Sequence, residues 1–306
     1  MNVAIIGAGN VGGELACRII DANLADVTLI DVKENIAKAK AADISDSIYF
    51  SKSSRQISAT SDLTNASNSN IIVITAGFPR KSGMTREDLI AKNSQLIKEI
   101  AAKIKPFLKE KIAITVTNPL DLMTFYFKRI TNIDSKRLIG MGSGLDSSRF
   151  ANLIAEKFKR GIREISAVVI GSHGDQMLPL ERLTTVRGKS LEEIIPKEEV
   201  QALKKRTLER GAEIVALYES GSAYFAPSLA IFEIIKAIIL DEKRIIYASS
   251  YLNGQYGLKD ICLGLPLKIG KAGIEEVINL SLNKQEKKAL LESAQSLKAL
   301  IDKLPS

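Results

Sequence analysis

The sequence predicts an α/β chain: a doubly wound parallel sheet over residues 1–140, then a mixed α+β lobe over residues 141–306. Two observations carry this reading. Apolar runs at 3–7, 27–30, 71–75 and 112–117 are of the kind that parallel sheets bury on both faces, and helical patterns separate them up to about Gly140. Beyond that point the alternation stops. Two long helical patterns, 197–217 and 226–240, precede strand-like runs at 244–252 and 261–269. At 306 residues the chain is long enough for two packed lobes.

The first strand runs into Gly7-Ala8-Gly9-Asn10-Val11-Gly12, after which Leu15, Ile19 and Ile20 mark a helix. A G-x-G-x-x-G between a strand and a helix is far more specific than a bare one. Its glycines permit a tight turn, close approach of a pyrophosphate and close packing of helix on strand, and the helix N-terminus offers free N–H groups to phosphate. The strand 27–30 ends at Asp31, at the distance where a carboxylate meets the adenosine ribose hydroxyls. Its charge opposes a 2′-phosphate and so favours NAD over NADP, with Lys33 nearby softening the preference.

The stretch from Asp43 to Tyr49 reads as the end of a helix. The strand 71–75 opens into a loop, 76–86, that carries two glycines, a proline, Arg80 and Arg86 before a long helix beginning near Glu87. Such a loop is a candidate lid. The strand 112–117 ends at Asn118-Pro119-Leu120-Asp121, where Pro119 cannot continue the strand and Asp121 is a plausible helix cap. That places the Asn118 amide where it can bond both cofactor and substrate.

His173 is the only histidine in the chain. The run 165–170 reads as one buried strand, so His173 sits in the glycine-flanked loop at its carboxyl end, and its imidazole titrates near neutrality. Upstream, Asp146 offers a carboxylate to orient the ring and Arg149 a guanidinium for a substrate anion. A packed or solvated histidine is the plain alternative, and these neighbours weigh against it. Farther on, small residues in Gly221-Ser222-Ala223-Tyr224 leave room for a ligand. The last helix starts at Asn283, with Glu286 completing a capping box and a stripe of Leu290, Leu291, Ala294, Leu297 and Ile301 for docking.

The composition, 45% hydrophobic and 25% charged, predicts a soluble globular protein. No apolar run approaches a membrane span, and a strand pattern begins directly at the amino terminus, so a cytoplasmic location is expected, with no membrane partner. Cys17 and Cys262 show no metal-ligand spacing and read as reduced, packed thiols; no metal is expected. A net charge of +8 admits nucleic-acid binding, but Lys and Arg are interleaved with acids, as in Lys284-Gln285-Glu286-Lys287-Lys288. Solvated helix faces and a basic interior around anionic ligands account for the excess, and no nucleic-acid partner is expected.

GAGNVG, TAGFPRKSGMTREDL, VTNPLD, LDSSRF, GSHGD and LNGQYGLKDICLGLP occur in this order. Together they resemble the lactate/malate dehydrogenase family, and within it the malate dehydrogenases of lactate-dehydrogenase-like type. The resemblance runs nearly end to end. It implies a Rossmann domain binding NAD and a C-terminal substrate domain. His173 would be the proton acceptor, Asp146 its partner, and Arg149 the clamp on the substrate C1 carboxylate. Arg86 would close with the loop and polarise the C2 oxygen, and Asn118 would bond that oxygen. Gly7, Ala8, Gly9, Asn10, Val11, Gly12, Asp31, Asn93, Val116, Thr117 and Asn118 would line the cofactor. Arg80 would choose the substrate: a glutamine there faces a methyl group in the lactate enzymes, and an arginine meets a second carboxylate in the malate enzymes. The implied reaction interconverts (S)-malate and oxaloacetate with NAD(H), in a homodimer or homotetramer. The alternatives are an L-lactate or other 2-hydroxy acid dehydrogenase and a non-catalytic NAD-binding protein. Gly144, Ser172 and Gln176 depart from the usual pattern without removing a charge that the chemistry needs.

Overall fold

A computed structural model describes residues 1–79, 83–219 and 221–305. Its elements run β1 (Asn2–Ile6), α1 (Asn10–Asp21), β2 (Asp26–Ile30), α2 (Glu34–Ser51), β3 (Ile57–Thr60), β4 (Ile71–Ile74), α3 (Arg86–Ile104), β5 (Ile112–Thr115), α4 (Leu120–Thr131), β6 (Leu138–Gly140) and α5 (Ser143–Phe158). The second part holds β7 (Ile165–Ser166), β8 (Val169–Gly171), β9 (Met177–Pro179), β10 (Thr185–Val186), β11 (Lys189–Ser190), α6 (Leu191–Ile194), α7 (Lys197–Tyr218), α8 (Phe225–Ile239), β12 (Arg244–Asn253), β13 (Lys259–Gly270), β14 (Gly273–Val277) and α9 (Lys284–Ile301).

Strands β3-β2-β1-β4-β5-β6 form a parallel sheet in that order, the doubly wound order whose direction reverses between β1 and β4. Both faces are covered, which is why β4 is apolar throughout and β5 is apolar up to Thr115, with every residue of both buried. The sheet continues into the second half through an antiparallel contact of Gly140 in β6 with Ser249 in β12, then β13, β8 and β9. Gly140 is required at that junction, since a Cβ there would stand 2.7 Å from Thr124 Oγ1 and 2.8 Å from Ser249 Cβ. The two halves therefore share one continuous sheet.

Three local expectations are corrected. The run 165–170 is two strands: β7 pairs with β10 in a small separate sheet, while β8 pairs with β13 and β9 in the main one. Ala167 and Val168 make the transition between sheets, a change that apolar composition cannot signal. Asp121 is not a helix cap; Pro119 occupies the N-cap of α4 and Asp121 turns its carboxylate elsewhere. In α9 the stripe is Leu290, Ala294, Leu297 and Ile301, whereas Leu291 is 38% exposed because it lies a residue off the i, i+4, i+7 face. The capping box of Asn283 with Glu286 is present, and a second one, Thr85 with Asp88, opens α3 at Arg86. Among the described residues no helix is long and apolar enough to cross a membrane.

Candidate active site

The carboxyl end of β1 turns through the glycine loop, and each glycine answers a different constraint. Gly7 has φ +109°, and a Cβ there would stand 2.5 Å from Ala76 N. A Cβ on Gly12 would collide with the carbonyl oxygen of Gly7, so α1 packs on the β1 turn only without a side chain. At Gly9 nothing lies within 4 Å of where a Cβ would point. Sterics within the protein do not explain that glycine, which leaves open space beside a helix N-terminus, where N–H groups favour an anion. Lys40 of α2 donates to the Gly9 carbonyl at 2.8 Å, and burial lowers its pKa. Asp31 at the end of β2 braces the same loop, with Oδ2 accepting from Ala8 N–H at 2.7 Å and Oδ1 from Lys33 N–H at 2.9 Å.

The ends of β4 and β5 are tied together behind this loop. Thr117 Oγ1 donates to the Ala76 carbonyl at 2.6 Å, and Val116 is buried beside it. Asn93 of α3 is fully buried. Its Oδ1 accepts from Phe78 N–H at 2.8 Å, and its amide donates to the carbonyls of Phe78 at 3.2 Å and Asn118 at 2.7 Å. The Asn93 side chain is thus committed to backbone, clamping the lid base against the end of β5. Asn118 is exposed at that end, before a cis bond to Pro119. Arg80 lies outside the described residues.

His173 follows β8 in a loop flanked by Gly171 (φ +88°) and Gly174 (φ +107°). Its Nδ1 is 2.8 Å from Asp146 Oδ2 in the first turn of α5. The other Asp146 oxygen makes no hydrogen bond and stands 3.7 Å from Arg149 Nη1, one turn along α5. The side chains of Asp146, Arg149 and His173 are 1%, 13% and 14% exposed, so the three charges interact in a largely dehydrated pocket. Burial pushes the imidazole pKa down, but the charge and hydrogen bond of Asp146, with a further contribution from Asp121, outweigh it, and the net shift is upward. Burial lowers the Arg149 pKa, with Asp146 opposing. Arg86, at the start of α3, reaches over the same loop, 3.9 Å from Asp175 Oδ2 and half exposed.

The structure thus brings His173, Asp146, Arg149 and Arg86 together at one end of the sheet, with Asn118 at the end of β5 and the glycine loop with Asp31 at the ends of β1 and β2. Sequence reasoning missed four supporting positions. Asp121 accepts from the His173 backbone and from Ser249 Oγ, and Ser293 Oγ accepts from Ser172 N–H of the same loop. Gly211, inside α7, lies against Arg149, since a Cβ there would stand in van der Waals contact, 3.4 Å from its Nη1. A carboxylate within the otherwise apolar LDLMTFYF, and a glycine interrupting a long helical pattern, were the available signals. Gly144 also acquires a reason, because a Cβ there would stand 2.6 Å from the Tyr247 carbonyl oxygen, where α5 meets β12.

A glycine loop for a dinucleotide, together with an imidazole held by a carboxylate beside a guanidinium, defines a dinucleotide-dependent oxidoreductase. Residues 1–140 match the NAD-binding domain of the lactate/malate dehydrogenases, and residues 143–306 match their alpha/beta C-terminal domain. The chain belongs to the lactate/malate dehydrogenase family. It is 40% identical over 304 residues to a malate dehydrogenase of Methanosarcina mazei, covering 99% of each chain. Among solved structures it resembles the malate dehydrogenase of Aeropyrum pernix, with TM-score 0.96, 35% identity and coverage of 99% and 98%. It also resembles a lactate dehydrogenase of Cryptosporidium parvum complexed with lactic acid and NAD, with TM-score 0.94, 33% identity and coverage of 99% and 98%. The backbone alone therefore does not separate the two substrates.

Proposed function

We propose that this chain is an NAD-dependent malate dehydrogenase that interconverts (S)-malate and oxaloacetate, with His173 as the proton carrier. The observation that carries the reading is the His173–Asp146–Arg149 cluster. The carboxylate can only accept, so it holds the hydrogen on Nδ1 and leaves Nε2 free to take the proton of the substrate hydroxyl. The nicotinamide, when bound, supplies the hydride chemistry at C2. Arg149 pairs with the C1 carboxylate. Arg86 leaves Asp175 to polarise the C2 oxygen, and closure over the site excludes water and strengthens these contacts. Asn118 bonds the same oxygen. Asp31 receives the ribose hydroxyls, and the Gly7–Gly12 loop receives the pyrophosphate. Asn93 and Thr117 serve the cofactor pocket through the backbone they clamp. Arg80 pairs with the second carboxylate and selects malate over lactate; the shared name of the sequence relative supports that choice. The division between cofactor and substrate halves falls after Gly140.

The protein works as a homodimer or homotetramer in the cytoplasm. Phe225, Leu229, Leu240 and Ile245 are each 43–55% exposed along α8 and the start of β12, beside an apolar groove of about 420 Å3 that a second copy would cover. One assay tests the whole reading: oxaloacetate against pyruvate, each with NADH and NADPH. Preference for oxaloacetate with NADH is expected. Preference for pyruvate would transfer the reading to the lactate enzymes, and turnover of neither would leave a binding protein.

A further inference from the structure

Two carboxylates are buried among the described residues, Asp146 and Asp121, and the mechanism above uses only the first. Asp121 lies in the first turn of α4, 2% exposed, with three donors on its two oxygens. Ser249 Oγ of β12 donates to Oδ1 at 2.5 Å; the His173 backbone N–H at 2.7 Å and Ser172 Oγ at 3.1 Å both donate to Oδ2. Helix α4, strand β12 and the histidine loop thus meet on one side chain. We infer that Asp121 is a positioning residue for the proton carrier, gripping the backbone of His173 while Asp146 grips its ring, so that the imidazole is held at both ends.

The loop needs such a grip. Glycines with positive φ flank it on both sides, and its remaining anchors are Ser293 Oγ, which accepts from Ser172 N–H at 3.0 Å and donates to the Gln176 carbonyl at 2.9 Å, and a turn bond from Met177 N–H to Gly174 O. A displacement of about 1 Å in a reacting group costs up to roughly 100-fold in rate. Charge acts in the same direction. The charged groups acting on His173 are Asp146 and Arg149 from α5 and Asp121 from α4, while Arg86 from α3 and Asp175 on the histidine loop lie 3.9 Å from each other. Asp121 adds to the pull of Asp146 on the imidazolium, and Arg149 opposes both. Burial raises the pKa of Asp121 itself and outweighs the three donors and the neighbouring histidine, which pull it down.

The inference rests on His173 being the proton carrier, and its test is separable from that reading because His173 is the only histidine and its ring signals can be titrated by NMR in the intact protein without substrate. Asp121→Asn keeps the shape and removes the charge. The His173 midpoint should fall by about half a unit to one unit. Turnover should fall roughly 10- to 100-fold, with NADH affinity within about twofold of wild type. Ser172→Ala leaves the carboxylate with one donor fewer and should move the midpoint the other way, upward. A purely structural pin would lower thermal stability and leave the His173 titration in place in both variants, and that result overturns the inference. If Asp121→Asn does not fold, Ser172→Ala decides alone: an upward shift supports the inference and an unmoved midpoint overturns it. A wild-type protein that turns over neither oxaloacetate nor pyruvate would defeat the proposed function and leave the ring titration readable.

Discussion

Asp146→Asn isolates the central pair, because the replacement fits the same space and only the proton bookkeeping changes. The amide can turn either way. With its NH2 toward Arg149 it would set two donors against each other in a pocket where that guanidinium is 13% exposed. It therefore turns the NH2 toward His173 Nδ1, now 2.8 Å from a donor, and the ring hydrogen moves to Nε2. A neutral ring in that tautomer cannot accept the malate proton. Arg149 also loses its counter-charge; breaking one partner of a buried charge pair costs roughly 2 to 5 kcal/mol, or about 30-fold to several thousandfold in kcat/KM. The pH profile supplies an independent check. His173 is held above its ordinary range in the folded protein, so its stabilisation is present below pH 6.5 and is lost as pH rises through the folded value. Without Asp146 burial lowers the imidazole pKa with only Asp121 opposing, so that slope in unfolding free energy should reverse, with stability lost as pH falls, and the midpoint of kcat/KM for oxaloacetate reduction should move to lower pH. NADH oxidation followed by absorbance from acid to alkaline pH, beside urea unfolding over the same range, measures both. If kcat/KM stayed within about threefold of wild type with an unmoved midpoint, the pairing of Asp146 with His173 would be structural and the tautomer argument wrong.

Other substitutions read the remaining contacts. Asp31→Ser removes the acceptor of Ala8 N–H as well as the charge opposing a 2′-phosphate, so NADH affinity should fall while the NADPH-to-NADH ratio of kcat/KM rises; an unchanged ratio would make Asp31 only a brace of the glycine loop. Gly211→Ala brings a Cβ into contact with Arg149 at 3.4 Å and should leave activity near wild type while adding up to about 1 kcal/mol from helix propensity. Gly211→Val should push the guanidinium aside and raise KM for oxaloacetate by roughly tenfold or more; equal KM values in steady-state kinetics would refute the packing role. Arg80→Gln should lower kcat/KM for oxaloacetate by roughly 30-fold to several thousandfold and raise it for pyruvate, and an unchanged ratio of the two would remove Arg80 as the selector.

By itself the sequence determined the doubly wound half and the strand-loop-helix of the glycine motif, and it singled out His173, Asp146, Arg149 and Arg86 as candidate reacting groups. Apolar runs such as Ile71–Ile74 tell of burial on both faces, and GAGNVG between a strand and a helix encodes a local turn. Local chemistry of this kind is written in neighbouring residues, as are the capping box at Asn283 and the isolation of His173. Only the tertiary structure decided what lies far apart along the chain. The division of 165–170 between two sheets depends on partners from β10 and β13. Asp121 looked like a helix cap because a carboxylate after proline satisfies that local pattern equally well; its donors come from residues 172, 173 and 249, brought to it by the junction of β6 with β12. Gly144 likewise looked incidental, since the constraint on it is an atom from another element, the Tyr247 carbonyl oxygen. Residue type and spacing state which groups can do the chemistry, whereas the bonds that hold those groups in register are long-range, and no pattern of nearest neighbours contains them.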